Sequence, residues 1–391
     1  MRLGSVGSDI INLPGKTSFS PGGSTKLNFG NRYPPRTLFQ SEIGHLPTEG
    51  LGKVASSSSP YHCVAEPSNM KVLIFAALVA TSLAFVVPNA NELTGEELAS
   101  YVNKAQNSFV AVHTGKTIEE LKKGLMKEEY LVEPKDEERA PELIIEADIP
   151  DSFDARTHWS KCASIQHIRD QSTCGSCWAF GAAEAISDRI CIATNGAQQP
   201  VIAADDFLSC CGHTCGNGCE GGYPIEAWRW WVSKGACTGG DYGGAGCKPY
   251  PIPPCNSNCK DSATPACHAS CQSGYSISYA QDKHFGKSAY AVAKTVSAIQ
   301  KEIMTNGPVE TAFTVYEDFY QYKNGVYVHT AGKKLGGHAV KFIGWGTDNG
   351  TPYWIVANSW GNDWGEKGFF RIVRAVNECG IEAAVVAGLP K

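Results

Sequence analysis

The sequence has no clustered excess of basic residues, which excludes the commonest signature of a nucleic-acid-binding protein. Its 391 residues include 34 Lys and Arg against 39 Asp and Glu, and the net charge is −5. The sequence also lacks a membrane-spanning segment, because the apolar run from Val72 to Val87 falls short of the ~20 residues that such a helix needs. We therefore predict a protein that binds no nucleic acid and has no membrane span.

Cysteine, by contrast, is abundant but unevenly distributed. Cys63 stands alone, and the other 15 of the 16 cysteines lie between Cys162 and Cys379. This density suits an oxidising compartment, and the odd number leaves at least one thiol unpaired. Zinc is the alternative, since His213 lies among closely spaced cysteines, but no second cysteine pair stands at ligand spacing from a histidine pair. We predict disulfides, no metal and no cofactor.

Composition divides the first part of the chain into two segments. Residues 1–69 are rich in Gly, Ser and Pro and show no helical or strand period, as in a low-order extension. Residues 70–84 are typical of a secretory signal peptide, because Met70 and Lys71 precede an apolar stretch that ends in small residues. Since a signal peptide belongs at an N-terminus, we expect translation to begin at Met70 and to leave 1–69 untranslated.

Two further segments follow. Residues 85–148 are charged and contain two predicted capping boxes, Thr94 with Glu97 and Thr117 with Glu120, each ahead of apolar residues at helical spacing. Residues 149–391 are rich in aromatics, glycines and cysteines and have the size of one two-lobed enzyme. We interpret 85–148 as an inhibitory propeptide, with a small separate domain as the alternative. Within 149–391 the patterns predict helices over 177–194 and 225–233, strands over 325–328 and 369–373, and an irregular loop region over 237–271.

The strongest chemical signal is the run QSTCGSCWAF at 171–180. Gly175 and Ser176 predict a tight turn, after which a helix begins at about Cys177. A thiol at a helix N-terminus feels the positive end of the helix dipole, which favours the thiolate. We therefore interpret Cys177 as a nucleophile and Cys174 as a disulfide partner that fixes the turn. The alternatives are a structural Cys177 or a redox pair with Cys174, although such a pair belongs in a small βαβ fold.

A thiolate nucleophile needs a base, and His338 is the candidate. Asn358 follows it by 20 residues, and an asparagine oxygen can hold an imidazole in one tautomer while the nearby Trp360 shields that hydrogen bond from water. Gln171 precedes Cys177 by 6 residues, and its side-chain N–H, with the backbone N–H of Cys177, is placed to stabilise an oxyanion. The alternatives are an ordinary core histidine and a surface glutamine.

These segments resemble the papain family of cysteine proteases, and the stretch from about Leu93 to Lys391 is similar to the cathepsin B group in its precursor form. The resemblance implies an α+β, papain-like two-lobed fold, with a helical lobe and a β-barrel-like lobe, preceded by a short helical propeptide. It also implies that Cys177 and His338 face each other across a cleft, which the propeptide blocks until acid activation. The segments that carry the resemblance are IPDSFDAR (149–156), DRIC (188–191), CEGGYP (219–224), QDKH (281–284) and NGTPYW (349–354).

By this resemblance, residues 221–224 and Trp360 form part of the substrate site. Gly221 and Gly222 line the cleft, where glycine lets a substrate backbone approach closely, and Tyr223 and Pro224 wall the pocket for the residue second before the scissile bond. Ala384 stands where related enzymes have a glutamate at the base of that pocket. We therefore expect apolar side chains to be preferred there and arginine to be accepted less well.

A second departure concerns residues 247–267, which resemble the occluding loop. In related enzymes this loop carries two adjacent histidines that bind the substrate's C-terminal carboxylate and confer dipeptide release. Here Cys255 is followed by Asn256-Ser257-Asn258-Cys259, without a histidine pair. We therefore predict a cysteine endopeptidase that acts through an acyl-enzyme and is made as a zymogen. The alternatives are retained carboxydipeptidase activity and a catalytically dead relative that binds peptides.

The resemblance further implies partners, a location and six disulfides. The expected partners are peptide and protein substrates, the chain's own propeptide and cystatin-type inhibitors, and the expected location is the secretory pathway, either lysosomal or extracellular. Cys177, Cys237 and Cys379 remain outside the implied disulfides. The implied pairs are Cys162–Cys191, Cys174–Cys219, Cys210–Cys267, Cys211–Cys215, Cys247–Cys271 and Cys255–Cys259.

Overall fold

The structure is a computed structural model that describes residues 89–255, 257 and 259–391. The predicted extension over 1–69 and signal peptide over 70–84 lie outside these residues. In the part described, no helix has both the length and the apolar character needed to cross a bilayer. The helices are α1 Gly95–Ala105, α2 Ile118–Lys122, α3 Ala155–His158, α4 Cys177–Ala193, α5 Ala204–Cys210, α6 Pro224–Lys234, α7 Val296–Asn306 and α8 Glu317–Tyr320. The strands are β1 Phe109–Ala111, β2 Phe153–Asp154, β3 Tyr290–Ala291, β4 Val309–Tyr316, β5 Tyr322–Tyr327, β6 Lys334–Asp348, β7 Thr351–Ala357, β8 Phe369–Val373 and β9 Val386–Ala387.

The helical lobe is built around α4. Every residue from Cys177 to Cys191 is buried, so α4 is packed on all sides rather than along one apolar stripe. α5 and α6 pack against it, and the three helices share a core that includes Trp178, Trp228 and Trp231. The predictions of helices over 177–194 and 225–233 are confirmed by α4 and α6, whose bounds differ from the predicted ones by a single residue at each altered end.

The second lobe is a mixed, mostly antiparallel sheet. The described strands pair in the order β1-β5-β8-β7-β6-β4-β9-β3, and β2 pairs with β6. The long strand β6 is antiparallel to both β4 and β7, and α4 packs against it, which joins the two lobes. β6 turns into β7 through Asn349 and Gly350, whose φ angles of +48° and +83° fit a tight hairpin turn. The α+β, two-lobed fold is confirmed.

The segment ahead of the enzyme packs into both lobes. β1 adds antiparallel to β5, and Leu98, Phe109 and Leu121 are buried in the core of the sheet lobe. Further along, Met126 is buried in the core of the helical lobe. This segment, 89–148, is called the prosegment below.

One of the two predicted capping boxes in the prosegment is present. At the start of α2, Thr117 and Glu120 bond reciprocally, as predicted. The prediction for Thr94 is wrong, because this residue occupies the N-cap position of α1 but its side chain makes no capping hydrogen bond. The carboxylate of Glu317, from the sheet lobe, instead accepts a hydrogen bond of 3.0 Å from the N–H of Gly95. A hydrogen bond to a side chain distant in sequence thus replaces the local capping hydrogen bond that the sequence predicted.

Candidate active site

The thiol of Cys177 lies at the first residue of α4, where the sequence pattern placed it. The turn before it is tight: the N–H of Gly175 donates to the carbonyl of Cys219 at 2.8 Å. A side chain at Gly175 would not fit, because a Cβ there would lie 2.4 Å from that carbonyl oxygen and 2.6 Å from the carbonyl oxygen of Leu125. The disulfide between Cys174 and Cys219 fixes the same turn from its other side.

The imidazole of His338, on β6, is fully buried and oriented by Asn358. Its Nε2 lies 2.7 Å from Asn358 Oδ1. The N–H of Ser359 donates to the same oxygen at 2.8 Å, so this atom is an acceptor and Nε2 carries the proton. Nδ1 has no hydrogen-bond partner among the described residues and is the basic nitrogen. The indole of Trp360 stacks over the imidazole at a centroid distance of 4.6 Å and covers it from solvent.

Cys177 and His338 lie next to each other across the junction of the lobes. Cys177 and Ala339, the residue after His338, are buried in one core cluster. Burial raises the pKa of the Cys177 thiol to about 12, against smaller opposing effects of backbone hydrogen bonds. Burial likewise lowers the pKa of His338 to about 4, although its hydrogen bond to Asn358 acts the other way. With the prosegment in place, the site therefore favours a neutral thiol and a neutral imidazole.

A buried ion pair holds the strand of His338 against the helix of Cys177. Lys341 on β6 is fully buried, and its Nζ lies 2.7 Å from a carboxylate oxygen of Asp188 on α4. Burial raises the pKa of the Asp188 carboxyl, and the Lys341 ammonium opposes that shift. Removing either partner would leave an uncompensated buried charge, which is strongly destabilising. The pair thus ties the two lobes together close to the thiol and the imidazole.

The side chain of Gln171 is also fully buried, and its orientation is fixed at both ends. Its Oε1 accepts a 2.6 Å hydrogen bond from the hydroxyl of Ser359. Its Nε2 donates to the carbonyl of Cys174 at 2.8 Å and to that of prosegment residue Gly124 at 2.9 Å. An N–H that already holds a carbonyl oxygen in the cleft has the direction required of an oxyanion donor.

The prosegment passes through the cleft with one isolated β-bridge residue, Met126, followed by a 3-10 helix over Glu128–Tyr130. Met126 and Gly337 exchange two backbone hydrogen bonds of 3.0 and 2.9 Å. One residue later, the N–H of Lys127 donates to the carbonyl of Glu220 at 2.9 Å. The prosegment is therefore hydrogen-bonded to both walls of the cleft, the one before α6 and the one formed by β6.

The two glycines predicted to line the cleft have different surroundings. A Cβ on Gly221 would lie 2.4 Å from the ring of prosegment residue Tyr130 and 2.9 Å from Cβ of Met126, and its φ of +139° also favours glycine. A Cβ on Gly222 would instead lie 2.5 Å from the indole of Trp178, inside the helical lobe. Gly221 thus faces the occupant of the cleft, whereas Gly222 allows the wall to pack closely on the helical core.

An apolar cavity of about 360 Å³ lies beyond these glycines, and the remaining predicted pocket residues line it. Tyr223, Pro224 and Ala384 are brought together there, and prosegment residue Tyr130 packs on Tyr223 at a ring-centroid distance of 5.2 Å. Trp360 is not part of this pocket, because it lies on the opposite side of the cleft beside His338.

The structure contains six disulfides among its described residues, and they join the same cysteines that the resemblance implied. Cys177, Cys237 and Cys379 are free thiols. The disulfide between Cys255 and Cys259 closes a small ring in the loop over 247–267. This loop borders the cleft, since the hydroxyl of Ser172 donates to the carbonyl of Pro253 at 2.8 Å.

Comparison with known proteins agrees with this geometry. The pattern of the family described as papain family cysteine protease matches residues 149–389. The chain belongs to the papain family of cysteine proteases. Because the match begins at residue 149, the prosegment lies outside the papain-family domain itself.

Relatives of this papain-family protease include a gut-specific cysteine proteinase of Caenorhabditis elegans. It is 64% identical over 328 residues, which cover 82% of this chain and all of the relative. Cathepsin B-like cysteine proteinase 5 of the same organism is 57% identical over 331 residues, covering 80% of this chain and 96% of the relative. The chain is therefore a cathepsin B-like cysteine peptidase.

Solved structures of precursors are similar as well. A procathepsin B from Trypanosoma congolense has a TM-score of 0.67 and 38% identity, covering 76% of this chain and 99% of that one. A digestive procathepsin L from Tenebrio molitor has a TM-score of 0.57 at 21% identity, covering 74% and 86% of the two chains, and this second likeness shows the fold alone. The prosegment of this papain-family protease thus occupies the cleft of a zymogen.

Two residues of the site were not identified from the sequence. The hydroxyl of Tyr320 donates a hydrogen bond to the carbonyl of prosegment residue Leu121, and its ring stacks on Trp360 at 4.2 Å. No motif distinguishes this tyrosine. Lys341 was also missed, although a lysine within the apolar run HAVKFIGW was a visible signal of a buried ion pair.

Proposed function

We propose that Cys177 is the nucleophile, His338 the general base, Asn358 the residue that orients the base and Gln171 an oxyanion donor. The observation that carries this assignment is that Gln171 Nε2 donates to the carbonyl of Gly124, while Met126, two residues further along the prosegment, is buried in the same core cluster as Cys177. A bound peptide in the same place would pass both the oxyanion donor and the nucleophile within a few residues.

The reaction follows from these positions. Nδ1 of His338 takes the thiol proton, and the thiolate of Cys177 attacks the substrate carbonyl carbon. The resulting oxyanion is held by the side-chain N–H of Gln171 and the backbone N–H of Cys177. His338 then gives its proton to the departing amine, which leaves a thioester acyl-enzyme. Water, deprotonated by His338, attacks this thioester and releases the acid and the thiol.

The direction of the prosegment explains why it inhibits instead of being cut. Its residues pass Trp360 first, then Gln171 and Cys177, and reach the Tyr223 pocket last. A substrate places its residue second before the scissile bond in that pocket and its leaving group on the other side. The prosegment therefore runs opposite to a substrate, and its carbonyl carbon is not presented for attack.

Removal of the prosegment changes ionisation as well as access. Burial is the largest cause of both pKa shifts at the dyad, and prosegment residue Met126 is buried in the same core cluster as Cys177. Water entering an open cleft reduces the penalty for charge, so the thiol pKa falls and the imidazole pKa rises. Release of the prosegment thus favours the thiolate–imidazolium pair that performs the attack.

The same structure favours endopeptidase over carboxydipeptidase activity. On the leaving-group side the cleft contains the carboxylates of Asp170 and Asp363, and no histidine lines it in the described part of the chain. A substrate's terminal carboxylate would find no cation among these mature-enzyme residues and would be repelled by the two aspartates. Peptides that continue past the site carry no such charge there.

The pocket, the prosegment boundary and the location form the rest of the proposal. Ala384 supplies no charge for a basic side chain, so apolar residues are preferred there.

Residues 143–148 contain no helix or strand and Ile144 is fully exposed, which supports cleavage just ahead of Ile149. The disulfides support a secretory-pathway location, lysosomal or extracellular. Cystatin-type inhibitors would compete for the same cleft.

The test uses acid-activated protein expressed from Met70 and two peptides. One is internally quenched with a blocked C-terminus, and the other has a free C-terminal carboxylate and is assayed for dipeptide release. We expect cleavage of the blocked peptide, abolished by Cys177→Ala and by a thiol-alkylating epoxide. Efficient dipeptide release would refute the endopeptidase assignment. Correctly processed protein that cleaves neither peptide would point to a catalytically dead, peptide-binding relative.

A further inference from the structure

A cavity of about 440 Å³ lies on the leaving-group side of the cleft, next to Trp360. Its mature-enzyme walls include Asp170, Tyr320, Trp360 and Asp363, and the loop residues Cys255 and Cys259 close it. Gln171 lies between this cavity and the Tyr223 pocket along the prosegment. Residues after the scissile bond would therefore enter it.

Asp170 is the partly buried acid of this cavity. Its Oδ1 accepts a 2.7 Å hydrogen bond from the N–H of Ser172, which fixes the carboxylate. No Lys, Arg or His of the described residues lies within ion-pairing distance of Asp170, while most other buried or half-buried aspartates of the enzyme have such a partner. The enzyme thus holds an oriented carboxylate at the edge of its cleft without supplying its counter-charge.

The prosegment brings basic side chains to this region. Lys116 lines the cavity, and its charge acts to lower the pKa of the Asp170 carboxyl, against the dominant opposite effect of burial. Lys123 lines it as well, and its Nζ donates to the carbonyl of Cys259 at 2.8 Å and lies 3.4 Å from Asp261. The prosegment, which occupies this cleft, therefore places two lysines and one acid, Glu120, on the leaving-group side.

We infer that Asp170 gives the mature enzyme a preference for Lys or Arg among the first two substrate residues after the scissile bond. This inference rests on the proposed function, because it identifies the leaving-group side from the roles of Gln171 and Cys177. When the prosegment leaves, its lysines leave too, and a substrate's basic side chain takes their place beside the carboxylate. The aromatic walls of Tyr320 and Trp360 accommodate the apolar stem of such a side chain.

The experiment compares two series of internally quenched peptides, one varied only at the first and one only at the second residue after the bond, with Arg, Gln or Glu at that position. We expect kcat/KM to be about fivefold higher for Arg than for Gln, equivalent to about 1 kcal/mol, and lower still for Glu. In Asp170→Asn this Arg-to-Gln ratio should fall to about one, whereas the fold is kept because the Asn carbonyl still accepts the Ser172 N–H. Asp151→Asn is the matched control, since Asp151 is exposed and lies outside the cavity, and its ratio should equal that of the wild type.

A binding measurement keeps this inference separate from the proposed catalytic roles. The same peptides, with a fluorescent label, are titrated into processed Cys177→Ala protein with and without Asp170→Asn. Tighter binding of the Arg peptide that is lost in Asp170→Asn supports the inference even if wild-type protein cleaves nothing. Equal affinity for Arg and Gln peptides, or a preference that survives Asp170→Asn, overturns it whether or not cleavage occurs.

Discussion

The side chain of Met126 is the feature of the prosegment whose contribution to inhibition can be worked out most directly. It is 1% exposed and packs on Gly337. A Cβ added to Gly337 would lie only 3.0 Å from the terminal carbon of Met126. Met126→Ala removes three buried heavy atoms, and at ~0.8 kcal/mol for each methylene equivalent this weakens docking by about 2 kcal/mol. The inhibition constant of the prosegment should then rise about 30-fold. The backbone hydrogen bonds to Gly337 remain, so the prosegment keeps its place in the cleft.

The assay adds released prosegment to mature enzyme and measures the inhibition constant with a quenched peptide substrate. Ile144→Ala is the matched control, because it also removes three heavy atoms from the prosegment but from a fully exposed side chain. We expect this control to leave the constant unchanged. If Met126→Ala changes it by less than about threefold, or about 0.7 kcal/mol, the side chain is not an anchor and inhibition comes from the backbone pairing and the distant helices.

Three further predictions concern orientation, specificity and pH. Asn358→Ala leaves the buried imidazole of His338 without its acceptor, a loss of about 1.5–3 kcal/mol, so kcat should fall about ten- to a hundredfold while KM changes little. Steady-state kinetics at equal titrated thiol measures this. Ala384→Glu should raise kcat/KM for arginine relative to phenylalanine, at the residue second before the bond, by about tenfold, and an unchanged ratio would show that Ala384 does not face that side chain. The hydrogen bond from Lys301 is the largest cause of the lowered pKa of the prosegment carboxyl Glu142, so its contribution to docking is complete above the ordinary carboxyl pKa and is lost as pH falls through the lowered one. The inhibition constant should therefore rise on acidification, and Glu142→Gln should reduce that slope.

The parts of the fold that follow from local sequence were predictable. α4 and α6 have strong apolar patterns and clear ends, and the chemistry at Cys177 depends on a turn and a helix start that are adjacent in sequence. Strands β2, β3 and β9 have two residues each, and their pairing partners lie far away in the chain. No local period can reveal such strands, because tertiary contacts alone define them.

The candidate site also has residues whose roles the sequence predicts and residues whose roles it does not. His338 and Asn358 could be paired in advance because each has a chemical role that calls for the other. The proposed role of Asp170 could not be predicted, because it depends on whether folding brings a basic side chain of the enzyme within ion-pairing distance of its carboxylate. The role of Glu317 at the start of α1 was hidden for a similar reason, since it caps a helix more than two hundred residues away.

The burial of the prosegment in both cores has a consequence for the life of the mature enzyme. Leu98, Phe109 and Leu121 are part of the core of the sheet lobe, so cutting them away removes buried apolar contacts from that core. We therefore expect the mature enzyme to have a lower free energy of unfolding than the precursor. Activation opens the cleft and, in the same step, removes buried apolar area from both lobes.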